Sequence, residues 1–407
     1  MSMVDNYRFP AFCRDRSSYQ QLIKKQCQLL DVPQPEPFAI DTSFELSQKI
    51  SELISLKQEI SFAEFVQQAL YAPGLGYYSA GSYKLGAEGD FVTAPEVSTL
   101  FGKTLAKSVG QAFEHTKATI LELGAGSGRL MCDLLMQLEK ENKLPDSYFV
   151  LEVSAELRQR QQLLLQEELP HLTSKVVWLD SLPDNFNGVI LGNEVIDAIP
   201  FELLMKTEQG LAQGFVKQDD EGFSLVFKPT DFSRGWHKNH SELCSQWPEG
   251  YLAETSELRS DWLRAILDCL EQGCILLLDY GYEQEELYSP YRPQGTLQCY
   301  YRQRKHSTPM ALVGLQDITA SVNFTRLAEA AKEQGADVLG FTSQSLFLTL
   351  SGIEQFVAQE QDSGTITTFS VAQQLQTLLM PTEMGQNIKV LGLSKNFTGI
   401  LTGFRAL

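Results

Sequence analysis

The sequence predicts an α/β fold, a mostly parallel sheet with helices on both faces. Three observations predict it. Strand-length apolar runs alternate with helical stretches from about residue 118 to 192. A glycine-rich turn, Gly124-Ala125-Gly126-Ser127-Gly128, joins the first run to a helix. Polar residues suited to ligand contact, among them Glu152, Asp180 and Asn193, stand where later runs end.

In chain order, a helix over Ser18–Leu30 precedes the proline-punctuated stretch Val32-Pro33-Gln34-Pro35-Glu36-Pro37, which cannot propagate a helix. Apolar residues recur at helical spacing from Thr42 to Leu70, with Ser61 placed to cap a second helix. Glycine-rich loops follow. The strands are expected at Ala118–Leu123, Tyr148–Val153, Val176–Leu179, Gly188–Gly192 and Cys274–Tyr280, with helices over Leu130–Asn142, Ala155–Glu168 and Ser256–Gln272. Hairpin turns are expected at Gln209-Gly210 and Asp220-Glu221-Gly222. Ile388–Leu393 and Gly399–Phe404 read as a terminal antiparallel hairpin around Ser394-Lys395-Asn396. The resulting organisation is an N-terminal helix and linker (1–40), a helical lid lobe (41–112), the first part of the core (113–202) and a β-rich insertion (203–255). A fifth-strand unit (256–282), a second insertion (283–334) and the C-terminal core (335–407) complete it.

With 407 residues and a formal charge of -18, the chain can bury a large core and is poorly suited to phosphate backbones or anionic membranes, so nucleic acid is an unfavoured partner. The run Arg302, Arg304, Lys305 reads as a solvated loop. Seven cysteines, an odd count without a CxxC pair, suggest neither a disulfide framework nor a zinc site, and no metal is expected. No apolar stretch is long enough to span a bilayer and the N-terminus lacks a leader pattern, so a cytoplasmic protein is expected. The oligomeric state stays open, a homodimer included.

The glycines at 124, 126 and 128 are spaced GxGxG, whereas a dinucleotide fingerprint needs GxGxxG and would put Arg129 at its third glycine. Glu122, two residues before the first glycine, suits a site that accepts the ammonium and sulfonium of S-adenosyl-L-methionine. Glu152 can accept hydrogen bonds from both ribose hydroxyls, with Val153 and Ser154 beside it. Asp180, Ser181 and Leu182 follow the third strand, where the adenine edge is expected. These residues, with Gly124, Ala125, Gly126 and Gly128, form the expected cofactor site of a Rossmann-like class I methyltransferase sheet.

Asn193-Glu194-Val195-Ile196-Asp197 follows the fourth strand, at the sheet edge where such folds place catalytic groups. Methyl transfer is an in-line displacement that requires an aligned nucleophile and a managed proton. Asn193 and Glu194 are the right types to orient N–H bonds, and Asn193 also adjoins the cofactor. A guanidinium keeps its charge at neutral pH, so a carboxylate must hold that charge on the far nitrogens while another nitrogen attacks. Glu194 is assigned that role. Asp197 either assists or caps the next helix.

The chain resembles the MidA-like family of class I methyltransferases, which includes a mitochondrial complex I assembly-factor arginine methyltransferase. The resemblance runs from about Ser61 to the C-terminus. It rests on Leu70-Tyr71-Ala72-Pro73, Gly76-Tyr77-Tyr78, Gly89-Asp90-Phe91-Val92-Thr93-Ala94-Pro95-Glu96, Glu122–Gly128, Glu152-Val153-Ser154, Asn193-Glu194, Asp197-Ala198-Ile199-Pro200 and Asp279-Tyr280-Gly281. It implies a cofactor pocket roofed by the loop carrying Asp90, Phe91, Thr93 and Pro95, and a protein substrate, with an arginine of a respiratory complex I subunit as one candidate. The bland reading of Asp90 is an Asp-stabilised tight turn. Gln303, Ser321 and Asn323 stand where the family commonly has His, His and Asp, departures on the substrate side. A non-catalytic cofactor-binding assembly chaperone and a small-molecule methyltransferase are the alternatives.

Overall fold

Apolar runs broken by glycine, asparagine and aspartate turns give seventeen strands among the described residues of the computed structural model, which are 8–9, 13, 15–80, 92–219, 222–229, 240–363 and 368–404. In chain order they are β1 (Arg8–Phe9), β2 (Ile60–Ser61), β3 (Thr119–Leu123), β4 (Ser147–Leu151), β5 (Val176–Leu179) and β6 (Phe186–Asn193). Next come β7 (Glu202–Thr207), β8 (Gly210–Asp219), β9 (Gly222–Pro229), β10 (Leu252–Thr255) and β11 (Leu270–Tyr282). The rest are β12 (Gln298–Tyr301), β13 (Arg304–His306), β14 (Asp317–Thr319), β15 (Val322–Asn323), β16 (Asp337–Ser343) and β17 (Ile388–Lys395). The chain divides into two units, each woven from three segments.

One unit comprises 92–197, 260–284 and 322–407. Its main sheet has the order β16-β17-β11-β6-β3-β4-β5. Strands β11, β6, β3, β4 and β5 run parallel, while β17 is antiparallel to both β11 and β16. The α/β class I methyltransferase fold expected from the sequence is therefore the fold observed. Because β4 and β5 lie on one side of β3 and β6 lies on the other, the strand order reverses at β3. In open sheets of this kind ligands bind outside the carboxyl ends of the strands at such a switch point. Ile120, Leu134, Val150, Val189, Leu276 and Phe347 are wholly buried in its core, each aliphatic or aromatic side chain of this size contributing about 1.5–3 kcal/mol relative to exposure.

The terminal hairpin forms differently from expectation. β17 is present, but the strand on its outer side, opposite β11, is β16, and residues 399–404 are not a strand. The reason is packing. A Cβ on Gly340 or Gly392 would lie 2.5 Å from the Phe404 ring, so that ring rests on the glycine-paved face of β16 and β17 and stacks edge-on to Phe347 at 5.2 Å. The last segment thus crosses the sheet instead of extending it.

The other unit comprises 1–91, 198–259 and 285–321. It holds an antiparallel sheet, β1-β9-β8-β7-β10 with β2 on β8, and a smaller one, β13-β12-β14. The hairpin expected at Gln209-Gly210 joins β7 and β8, with Thr207 paired to Gly210. Asp220 and Glu221 lie outside the described residues, between the paired Asp219 and Gly222. Helices Arg16–Leu30 and Pro37–Lys57 meet where the buried Tyr19 hydroxyl bonds Ser43 Oγ at 2.7 Å and Ser47 Oγ at 2.9 Å. Pro37 sits in the first turn of its helix, where its missing N–H costs nothing. Ser61 does cap helix Phe62–Tyr71, in a reciprocal box with Glu64. Among the described residues, no helix is long and apolar enough to cross a membrane.

Candidate functional site

The carboxyl ends of β3, β4, β5 and β6 bring the described candidate residues to one edge of the parallel sheet. At β3 the chain turns sharply. Gly124 takes φ +63°, and a Cβ there would lie 2.7 Å from Val195 Cγ1. Gly128 takes φ +88°, and its Cβ would meet Gln161 Cα at 3.2 Å, which lets helices Arg129–Lys140 and Ala155–Glu168 approach closely. Arg129 N–H donates to Ser127 Oγ at 3.2 Å, and Ser127 Oγ–H donates to the Glu96 carboxylate.

Glu122 is 3 % exposed, and its Oε2 accepts the Tyr148 hydroxyl at 2.7 Å. Burial pushes its carboxyl up to about 7; the Tyr148 hydrogen bond opposes the shift and the Glu152 charge adds to it. Glu152 lies just beyond β4. Its Oε1 accepts Ser154 N–H at 2.9 Å and its Oε2 accepts Gln161 Nε2–H at 3.1 Å. Burial still raises this carboxyl against those bonds. The Ser154 hydroxyl is engaged as the N-cap of helix Ala155–Glu168. Beside it Val153 stays 79 % exposed. Asp180 and Ser181 are exposed and Leu182 is half-buried. Asp180 Oδ1 accepts Arg158 Nη1–H at 2.8 Å, while Arg158 Nη2 donates to the carbonyls of Glu152 and Leu179 at 3.0 and 2.8 Å. Val153, Ala155, Arg158 and Asp180 line a hollow of about 320 Å³ with Gln159 and Gln162.

At β6, Glu194 holds φ +53°, a left-handed conformation that costs a non-glycine residue about 1–2 kcal/mol. The surrounding structure enforces it. Glu194 N–H donates to Leu278 O at 2.8 Å, and Asp279 Oδ2 accepts the N–H groups of Val195, Ile196 and Asp197 at 3.0, 2.7 and 3.4 Å. Glu194 Oε1 accepts Ala94 N–H and Asn193 Nδ2–H, both at 3.2 Å. Desolvation pushes its carboxyl up to about 8; the Ala94 bond opposes the shift and the Asp197 charge adds to it. Asn193 Oδ1 is buried without a hydrogen-bond partner among the described residues. Asp197 caps no helix, because residues 195–200 form a turn that leads to β7.

From the N-terminal loop, Thr93 and the buried Pro95 open the short helix Ala94–Val97, and Thr93 makes no side-chain capping bond. Asp90 and Phe91 lie outside the described residues. The three departures from the family pattern fall in a turn, at a pair of backbone hydrogen bonds and at a helix cap. Gln303 takes φ +62° in the turn between β12 and β13. Ser321 N–H donates to Thr296 Oγ1 at 3.0 Å and its carbonyl accepts Arg259 Nη1–H at 2.9 Å. Asn323 caps helix Phe324–Glu333, accepting Arg326 N–H at 3.0 Å, a role Asp and Asn fill equally.

Sequence reasoning missed Gln161 and quoted Asp279 only as part of a motif. The signal for Gln161 was a polar residue inside the i, i+4, i+8 stripe Leu157, Gln161, Leu165 that buries the helix. Glu122, Glu152 and Glu194 are three carboxyls of raised proton affinity at or just beyond the carboxyl ends of β3, β4 and β6. Such an edge suits a ligand bearing cationic centres, which would draw the carboxyls into their ionised form, and hydroxyl donors. Among the described residues, no group of three or more potential ligands is placed to hold a metal.

Comparison with known proteins agrees with that chemistry. The family model described as "Putative S-adenosyl-L-methionine-dependent methyltransferase" matches residues 102–342. A Burkholderia thailandensis superfamily member crystallised with S-adenosyl-homocysteine is 38 % identical, with a TM-score of 0.86 over 91 % of this chain and 97 % of that one. The human mitochondrial protein arginine methyltransferase NDUFAF7 is 27 % identical over 404 residues, 86 % of this chain and 87 % of the relative. Its Caenorhabditis elegans homolog is 26 % identical over 349 residues, 76 % of each chain. The cofactor is S-adenosyl-L-methionine. Fold and sequence together place this chain in the MidA-like family of S-adenosyl-L-methionine-dependent methyltransferases.

Proposed function

We propose that the protein methylates a guanidino nitrogen of an arginine in a protein substrate, with a respiratory complex I subunit as one candidate. The observation that carries this reading is Glu194, a carboxyl held in a strained turn at the end of β6 and desolvated. The curated relatives named as protein arginine methyltransferases support it. When bound, the cofactor supplies an electrophilic methyl carbon on a sulfonium. Glu122 and the Gly124–Gly128 turn would hold its methionine end, Glu152 its ribose hydroxyls, and Val153 with Asp180, Ser181 and Leu182 its base. Glu194 pairs with the guanidinium nitrogens that do not attack, keeping the charge away from the reacting nitrogen. The free Oδ1 of Asn193 accepts an N–H of the attacking nitrogen and so aims its lone pair. That nitrogen sheds one proton as its C–N bond forms, and Asp197 is the nearby carboxylate on the same turn.

The test is methyl-labelled cofactor with arginine-containing peptides and partner proteins, read by mass spectrometry. Methylarginine should form, and Glu194→Gln should reduce turnover by about 10²–10³-fold while cofactor affinity stays within about threefold. Label on lysine or only on small molecules would overturn the substrate assignment, and full turnover in Glu194→Gln would overturn the role of Glu194.

A further inference from the structure

Gln161 lies outside every residue so far assigned to the cofactor, yet it touches the parts of the site that must keep their geometry. It is wholly buried in helix Ala155–Glu168. Its Nε2 donates to the carbonyl of Gly126 at 2.9 Å and to Glu152 Oε2 at 3.1 Å, and its Oε1 accepts Trp178 Nε1–H at 2.9 Å. One amide therefore ties together the glycine turn after β3, the carboxylate after β4 and an indole on β5. The amide can face only one way. Trp178 Nε1 is solely a donor, and the Gly126 carbonyl is solely an acceptor, so a flipped amide would lose both bonds.

We propose that Gln161 is the positioning residue of the cofactor site, fixing the plane of the Glu152 carboxylate and the carbonyl of Gly126 so that both meet the nucleoside in one geometry. The proposal rests on the reading of Glu152 as the ribose ligand. A carboxylate that must take two hydroxyls at once needs both oxygens oriented beforehand. Ser154 N–H holds one of them and Gln161 Nε2–H the other, and the backbone N–H groups of Gly126 and Val153 also bond the carboxylate, so Gln161 is its one side-chain donor among the described residues. Leucine would fill the volume of this position and would complete the apolar stripe between Leu157 and Leu165, so packing alone does not call for an amide. Trp178 makes the arrangement readable, because its indole N–H ends the same chain of hydrogen bonds.

The experiment is calorimetric titration of S-adenosyl-homocysteine into the full chain and into Gln161→Met, Gln161→Glu, Trp178→Phe and Glu152→Ala at pH 6 and pH 8. Glu152 and Glu122 titrate at the same sheet edge, so each variant is compared with the parent at the same pH. Gln161→Met should bind about ten- to a hundredfold more weakly than the parent. Gln161→Glu should be at least as weak at pH 8, where a second anion faces Glu152 and the Gly126 carbonyl. It should regain about tenfold relative to the parent at pH 6, where its protonated carboxyl donates again. Trp178→Phe should lose a few-fold, and the Trp178 emission change on ligand binding, taken as the parent minus Trp178→Phe spectrum, should vanish in Gln161→Met. Should Gln161→Met not fold, the Gln161→Glu pH response and Trp178→Phe carry the test. Binding within twofold of the parent by the folded Gln161 variants, with Glu152→Ala weakened tenfold or more, overturns the positioning role. Parent-like binding by Glu152→Ala overturns instead the reading of Glu152 on which it rests.

Discussion

Glu194 is a residue whose backbone and side chain are both held against their preference, in a left-handed turn and in a desolvated setting that pushes its carboxyl up to about 8. A guanidinium binds the ionised form. Below pH 8 its binding must therefore expel a proton, and apparent affinity for an arginine peptide should rise as pH rises, by at most about tenfold per unit, and level off above 8. Peptide titrations from pH 6 to 9 check this; Glu194→Gln should flatten the curve, and a parent curve without slope would remove the carboxyl from the peptide site. The residue type was legible in the sequence, since a carboxylate following the fourth apolar run belongs at the carboxyl edge. Its strain was not, because φ +53° depends on Asp279, 85 positions further on, gathering the N–H groups of residues 195–197. Of the two readings of Asp197 the helix cap falls away for a related reason: the turn closes on Asp279 and passes straight to β7 without entering a helix.

Among the elements, the turn after β6 and the end of β11 behave as one piece. The Asp279 carboxylate is buried, and deleting it strands N–H groups of Val195 and Ile196 that have this partner. Asp279→Ala should cost about 2–4 kcal/mol in urea unfolding, and the surviving folded protein should lose turnover to a greater extent than cofactor affinity. Equal losses in both would place Asp279 in general stability alone. The parallel strands were readable because each carries an apolar run, near-continuously buried in β3, β6 and β11 and alternating in β4. β16 was not: Asp-Val-Leu-Gly-Phe-Thr-Ser has charged and hydroxylic ends, and Gly340 is its one wholly buried position. The tail Gly399–Phe404 reads as a strand instead because Ile400-Leu401-Thr402 is a short apolar, β-branched run between two glycines. Phe404→Ala, which empties the seat on Gly340 and Gly392, should cost about 3–5 kcal/mol in the same unfolding assay.

Across the whole molecule, burial raises the carboxyls of Glu122 to about 7, Asp133 to about 6 and Glu194 to about 8, and it also raises Glu152, Glu202 and Glu254. A raised folded-state pKa gives stability that is complete below the ordinary carboxylate range and is lost as pH climbs through the raised value. Carboxyls held low work the other way. Asp15 under the Ser18 N–H, Glu59 beside Lys228 and Glu333 beside Arg264 lose their contribution as pH falls below that range. Together with self-repulsion from a formal charge of -18, this places the melting maximum near pH 5–6, with a decline toward pH 8.5. Melting curves at constant ionic strength test it, and Glu194→Gln should shrink the difference between pH 5.5 and 8.5. A protein that melts higher at 8.5 would show that these buried groups do not govern its stability. The interleaving of the two units also has a consequence for synthesis. On the ribosome, β3 to β6 are complete once Asn193 has emerged, yet the outer edge of β6 has no partner until Leu270–Tyr282 follows. For the time taken to translate residues 194–269, the nascent half-sheet presents Val189–Leu191 on an open edge, a sticky interval in which a holdase, or a pause in the wrong place, decides how much chain reaches the folded state.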